Sequence, residues 1–262
     1  MLDLLFDLPL TLAGCAVIGA LFAFAVAGLA VVRRLVLPRL QVRTEDSEFT
    51  GAMVQAIMVF YGLALALIAV SVWQTYSDAA GIVSQEATAV GALFRDVSSY
   101  PNPPRAELQH ELRDYVDYVI HQAWPAQRQG RVALGGVERM NRFQATLVAY
   151  EPVTEGQKLL HAETLRAYNH MIQCRRLRLD AVLTALPTML WFVVFAGALI
   201  SLSASFFFKV EDARLHGILV MLLALFIGLV IFMTLALDRP FRGGLGLGPG
   251  PYELVYEQLM RP

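Results

Sequence analysis

Four long apolar runs free of Asp, Glu, Lys, Arg and His constrain this chain more than any other feature: Leu10 to Val32, Gly51 to Trp73, Ala181 to Phe208 and Gly217 to Leu237. About 20 helical residues cross roughly 30 Å of hydrocarbon, so each run is long enough to span a bilayer. Backbone amides in lipid must bond within their own segment unless a barrel closes, and these runs show no alternation of polar and apolar residues. They read as four transmembrane helices. The expected class is all-α and polytopic, with a lipid bilayer as the first partner.

The polar residues gather in one place. Only 16% of the chain is charged, against roughly 25% in a soluble domain, and the mean hydropathy is +0.53. A net charge of -1 offers no basic field for nucleic acid. Cys15 lies in the first run and Cys174 in the polar stretch, which argues against a disulfide. Residues before the first run include Asp3 and Asp7 and no base, and the run leads straight into Arg33-Arg34, so it reads as a retained helix rather than a cleaved signal.

Four segments follow: 1–73, an N-terminal transmembrane hairpin; 74–180, a helical extramembrane domain; 181–237, a C-terminal hairpin; and 238–262, a Gly/Pro-rich tail, flexible or extended. The second span does not stop at the membrane edge. No Pro occurs from Trp73 to Val97, and Val83, Ala87, Val90, Phe94 and Val97 recur at helical spacing. Pro101-Asn102-Pro103-Pro104 closes that helix and opens another, whose apolar face includes Leu108, Leu112 and Tyr115. A weaker stripe through Met140 and Leu147 follows Gly135-Gly136, and a last stretch from about Thr154 runs into the third span with Pro187 as a kink. The polar domain is thus expected as a bundle continuous with spans 2 and 3.

Chemistry is sparse. The five histidines form no i, i+4 pair and no His-Glu-x-x-His, and no P-loop, Cys-x-x-Cys or Gly-x-Ser-x-Gly elbow occurs. The glycines between Gly243 and Gly250 follow a membrane run, without the βαβ unit a nucleotide loop needs. No enzyme activity, metal or cofactor is expected. Two basic sets flank the spans: Arg175, Arg176 and Arg178 before the third, and Arg239 with Arg242 after the fourth. They serve as interfacial anchors or as a vestibule that concentrates small inorganic anions. Polar residues of the second span, Gln55, Tyr61 and Ser71, alternate with Phe60 and other apolar groups; they either line a pore or bond neighbouring helices. The spans hold no buried carboxylate or histidine for a proton relay.

Trp73-Gln74-Thr75-Tyr76-Ser77-Asp78-Ala79, followed by Glu86-Ala87 and Leu93-Phe94-Arg95, resembles the W-x-x-Y-x-x-A…E-A…L-x-R signature of the bestrophin-like domain family, a family of unknown function. Pro101 to Arg105 with Tyr115 resembles its P-x-P-x-R…Y helix. Trp124-Pro125 resembles its E-W-P element, with Ala123 where Glu often stands, and Asp238-Arg239-Pro240-Phe241-Arg242-Gly243 its closing motif. The resemblance covers about Arg33 to Phe241. It implies kinship with bestrophins, pentameric anion channels whose pore follows the second span. On this reading the chain forms a homo-oligomeric, anion-selective channel in a bacterial inner (plasma) membrane; the competing reading is a non-conducting scaffold or sensor. Glu86 is expected to be solvated or salt-bridged within the bundle. Flanking bases nearly tie between the two sides, with Arg166, Arg175, Arg176, Arg178, Arg239, Arg242 and Arg261 on one and Arg33, Arg34, Arg39, Arg43, Lys209 and Arg214 on the other. The resemblance favours a cytoplasmic central domain.

Overall fold

A computed structural model describes residues 9–36, 38–39, 44–208 and 212–261, with the side chains of 44–50 left aside. Asp3, Asp7, Arg43 and Lys209, which entered the sequence reading, lie outside the described residues. The described chain is helical and contains no strand. Helix α1 (Leu10–Val31) runs into a π-helical turn at Val32–Val36, α2 covers Thr44–Ser98, and α3 covers Pro104–Tyr118. The short α4 (Trp124–Gln127), α5 (Gly135–Ala149) and α6 (Glu155–Leu183) follow. Helices α7 (Thr188–Ser205), α8 (Ala213–Leu237) and α9 (Gly250–Val255) complete the order. Among the described residues, four helices have the length and composition to cross a membrane: α1 with its π turn, α2 from Gly51, α7 and α8.

Contacts divide the chain into two compact units. The first is drawn from residues before Thr75 and from Ala185–Asp238; the second from Thr75–Thr184 and from Arg239 onward. In the first unit α1 lies along α8 and touches α7 only lightly. Val17, Leu21, Ala25, Leu65, Val194, Ala198, Ala224 and Ile231 form its core. Lipid tails are as apolar as these side chains, so close backbone approach must replace the hydrophobic drive. Small residues at the contacts allow it: the Phe206 ring occupies the place of a Cβ on Gly28, and Gly14 lies against Phe232.

The second unit buries Val83, Val90, Leu93 and Val97 of α2 against Leu108, Leu112 and Val116 of α3, Phe143 and Leu147 of α5 and Met171 of α6. Thr154 caps α6 by accepting the Gln157 N–H while Gln157 reaches back to the Thr154 N–H, a reciprocal capping box.

Two features depart from the sequence reading. Helix α2 is unbroken across both segments it was expected to join, but the passage into the third span is not one kinked helix: α6 stops at Leu183 and α7 starts at Thr188. Pro187 lacks an N–H and disfavours helical geometry in Leu186, and the freed Leu186 N–H donates instead to Asp238 Oδ1 at 2.6 Å. The closing segment is also no free tail. Phe241, Tyr252 and Met260 are buried in the core of the second unit, and Arg113 Nε donates to the Met260 carbonyl at 2.7 Å.

Candidate functional site

Helix α2 carries the candidate pore residues, and its helical phase separates them. Successive residues turn by about 100°, so neighbours in sequence face different directions. Gln55, Phe60 and Ser71 are exposed, Phe60 at 71%, together with Leu63, Leu67 and Val70. Tyr61 faces the other way and is 9% exposed. Its hydroxyl donates to the Val194 carbonyl of α7 at 3.0 Å, and its ring fills the space a Cβ on Gly197 would need. Tyr61 therefore packs and bonds within its own chain, the helix-bonding alternative of its expectation. Thr75 onward, the same exposed face continues with Ser77, Gly81, Ser84, Thr88 and Ala92, all small.

The arginines grouped as a vestibule differ in their placement. Residues three apart on α6 share a side, so Arg175 and Arg178 both turn inward, while Arg176 is exposed and Arg239 is half-buried. Arg178 Nε donates to Glu86 Oε2 at 2.6 Å and Nη2 to Oε1 at 3.2 Å, and Tyr115 donates its hydroxyl to the same Oε1 at 2.6 Å. The guanidinium also lies 5.8 Å from the Trp124 ring and 5.7 Å from that of Tyr252. Burial alone pushes the Arg178 pKa down, but the adjacent Glu86 carboxylate outweighs it and holds the group charged. Burial, reinforced by Glu86, pushes the hydroxyls of Tyr115 and Tyr252 up, so both stay protonated. The cluster holds no free nucleophile or base; it is a charge-neutral tie between α2, α3, α6 and the closing segment. Glu86 meets the salt-bridged form of its expectation rather than the solvated one.

The remaining motif residues extend this tie. Trp124 Nε1 donates to the Leu247 carbonyl at 2.9 Å, its ring lies 5.6 Å from Phe241, and the Leu247 N–H donates to the Pro240 carbonyl at 2.8 Å. Tyr76 donates to the Leu245 carbonyl at 2.9 Å. Pro125 stands in the first turn of α4, where its missing N–H is tolerated. In the first unit, Asp238 accepts from Trp191 Nε1 at 3.4 Å as well as from Leu186. Trp73 is exposed, as an interfacial aromatic would be. Sequence reasoning missed Tyr252, which carries no local signal in a Gly/Pro-rich segment, and did not use the i, i+3 spacing that separates Arg175 and Arg178 from Arg176. Among the described residues no group of three His, Cys, Asp or Glu side chains is arranged to hold a metal.

These features define a multi-pass, all-helical integral membrane protein with an attached helical unit closed by its own C-terminal segment. The chain belongs to the bestrophin-like domain family, which matches residues 19–252. No curated protein and no solved structure matches it.

Proposed function

We propose that the chain is one subunit of an oligomeric, anion-selective channel whose pore follows the exposed face of α2. The observation that carries this reading is the composition of that face. From Gly51 to Ser77 it holds no charge, and it passes from Phe60, Leu63 and Leu67 to small and hydroxyl-bearing residues on one unbroken helix. Apolar rings that dewet, followed by polar positions, are how narrow pores gate and select. Four spans are too few to enclose a wide aqueous path and also shield an apolar outer face, so this reading takes several copies around an axis, with lipid on their outer surface. Membership of the bestrophin-like family supports the channel class. On this reading the role is not enzymatic, the protein sits in a bacterial inner membrane and the helical unit faces the cytoplasm.

Purified protein in liposomes under a chloride gradient tests it. Chloride flux that Phe60→Ala alters supports the channel; a monomer in mild detergent, or no flux above empty liposomes, leaves the scaffold reading. Labelling of Gln129→Cys by an impermeant thiol reagent in intact cells would reverse the orientation.

A further inference from the structure

The start of α5 collects positive charge that no ion pair among the described residues fully balances. Helix N-termini carry unsatisfied N–H groups and a partial positive charge. Here the N-cap position is Leu134, which offers no side-chain acceptor, and the first two helical residues are Gly135 and Gly136. Arg175 reaches this end from α6, with Nη2 2.9 Å and Nε 3.5 Å from the place a Cβ on Gly136 would occupy. Arg139 stacks on the Tyr118 ring at 4.4 Å, but its charge is matched by Asp114 at 2.9 Å. Arg175 has no such match: it is 8% exposed and, among the described residues, forms no ion pair. The buried carboxylate near α6, Glu86, is held by Arg178. Glu138, the acid of the first turn, is exposed.

A second, separate observation points to a ligand. Tyr118 is 5% exposed, and its buried hydroxyl meets no hydrogen-bond partner among the described residues. A buried hydroxyl without a partner has given up its hydration with nothing in return, so native proteins keep few of them. Its ring lies against the same two glycines, Cζ 3.2 Å from the Cβ place on Gly135 and Cε1 3.2 Å from that on Gly136. Phenol, guanidinium and helix N-terminus thus converge where only glycine leaves room.

We infer that this end of α5 binds a phosphate-class oxyanion, free or as a phosphate ester. Arg175 presents the Nε–Nη2 edge that pairs bidentately with two oxygens, the Gly135 and Gly136 amides offer donors at a helix start, and Tyr118 adds a hydroxyl. These donors outnumber what a halide uses and suit a tetrahedral anion. The site belongs to the helical unit alone and does not depend on the pore proposed above.

Titration of inorganic phosphate into the full chain in phosphatidylcholine nanodiscs, followed by calorimetry and thermal unfolding, tests it. Saturable binding with a rise in Tm is expected. Tyr118→Phe should weaken binding about tenfold while leaving the phosphate-free Tm equal or higher, because it deletes a hydroxyl that only the ligand satisfies. Arg175→Met should abolish binding. Nanodiscs containing phosphatidic acid, without added phosphate, separate the sources: a Tm rise lost in Tyr118→Phe assigns the group to a lipid headgroup, and no rise assigns it to a soluble phosphate. Absence of saturable binding by the unsubstituted protein, equal stabilisation by chloride, or Tyr118→Phe binding as tightly as the parent would overturn the inference.

Discussion

Arg178 and Glu86 meet in a two-bond ion pair in which the side chains are 2% and 0% exposed. Desolvating two charges is costly, and only their mutual attraction and the Tyr115 bond offset it. Removing one partner strands the other. Arg178→Met or Glu86→Gln should each lower unfolding stability by about 3–5 kcal/mol, whereas the double variant should recover much of the loss because no unpaired charge remains. Arg178→Lys should rescue poorly, since an ammonium cannot supply the Nε–Nη2 fork. Thermal or denaturant unfolding of the helical unit in detergent measures all four.

Glu111 of α3 gives the pH dependence a handle. It is buried and accepts from Thr146 Oγ1 at 3.1 Å through Oε1, while Oε2 meets no donor among the described residues. Burial raises its pKa above the ordinary 4.5, and the Thr146 bond lowers it by less. The folded state therefore holds this proton more tightly than the unfolded chain does. Its stabilising contribution is full below the unfolded pKa and lost as pH rises through the higher folded one. Glu111→Gln should be more stable than the parent at neutral pH, and the gap should close on acidification toward 4.5. A gap that widens on acidification would contradict this sign.

How far the sequence reached differs from element to element. The spans were legible because the bilayer demands length and apolarity, which composition alone records. The unbroken α2 was legible too, since Val83, Val90 and Val97 repeat on one side of a helix without proline. The break at 184–187 was half visible. Pro187 marked the place, but the acceptor that makes a full break possible, Asp238, lies 52 positions beyond Leu186 in sequence. The closing segment was misread for a related reason: glycines and prolines signal irregular backbone, not whether that backbone is packed, and the bonds to Tyr76, Trp124 and Arg113 are all long-range. At the oxyanion site, Gly135-Gly136 read only as a turn, because nothing local indicates that Tyr118 and Arg175 arrive there.

Asp238 itself offers a separate check on the first unit. It supplies an acceptor to a backbone N–H that proline has excluded from the helix ladder, a charge-assisted bond at 2.6 Å. Asp238→Ala should cost about 1–3 kcal/mol, and the Leu186 amide should exchange with solvent much faster. Unchanged exchange at Leu186 would show that the break is held by other contacts.

Phe60 and Tyr61 are neighbours whose substitutions should fail in opposite ways. Tyr61 is wedged against Gly197 and bonded to Val194, so Tyr61→Ala removes a packed ring from between α2 and α7. Large-to-small changes of this kind cost about 3–5 kcal/mol, and Gly197→Ala should also destabilise by pushing a Cβ into the ring. Tyr61→Phe should be mild, near 0.6 kcal/mol, as hydrogen bonds between membrane helices generally are. Phe60 is exposed and touches little of its own chain, so Phe60→Ala should leave Tm within a degree or two of the parent. In the channel proposed here that substitution widens an apolar constriction and should raise chloride flux severalfold, or shift gating, without loss of assembly. The pair separates folding from conduction: a Phe60→Ala protein that is folded, assembled and unaltered in flux would remove this face of α2 from the pore, whatever Tyr61→Ala does to stability.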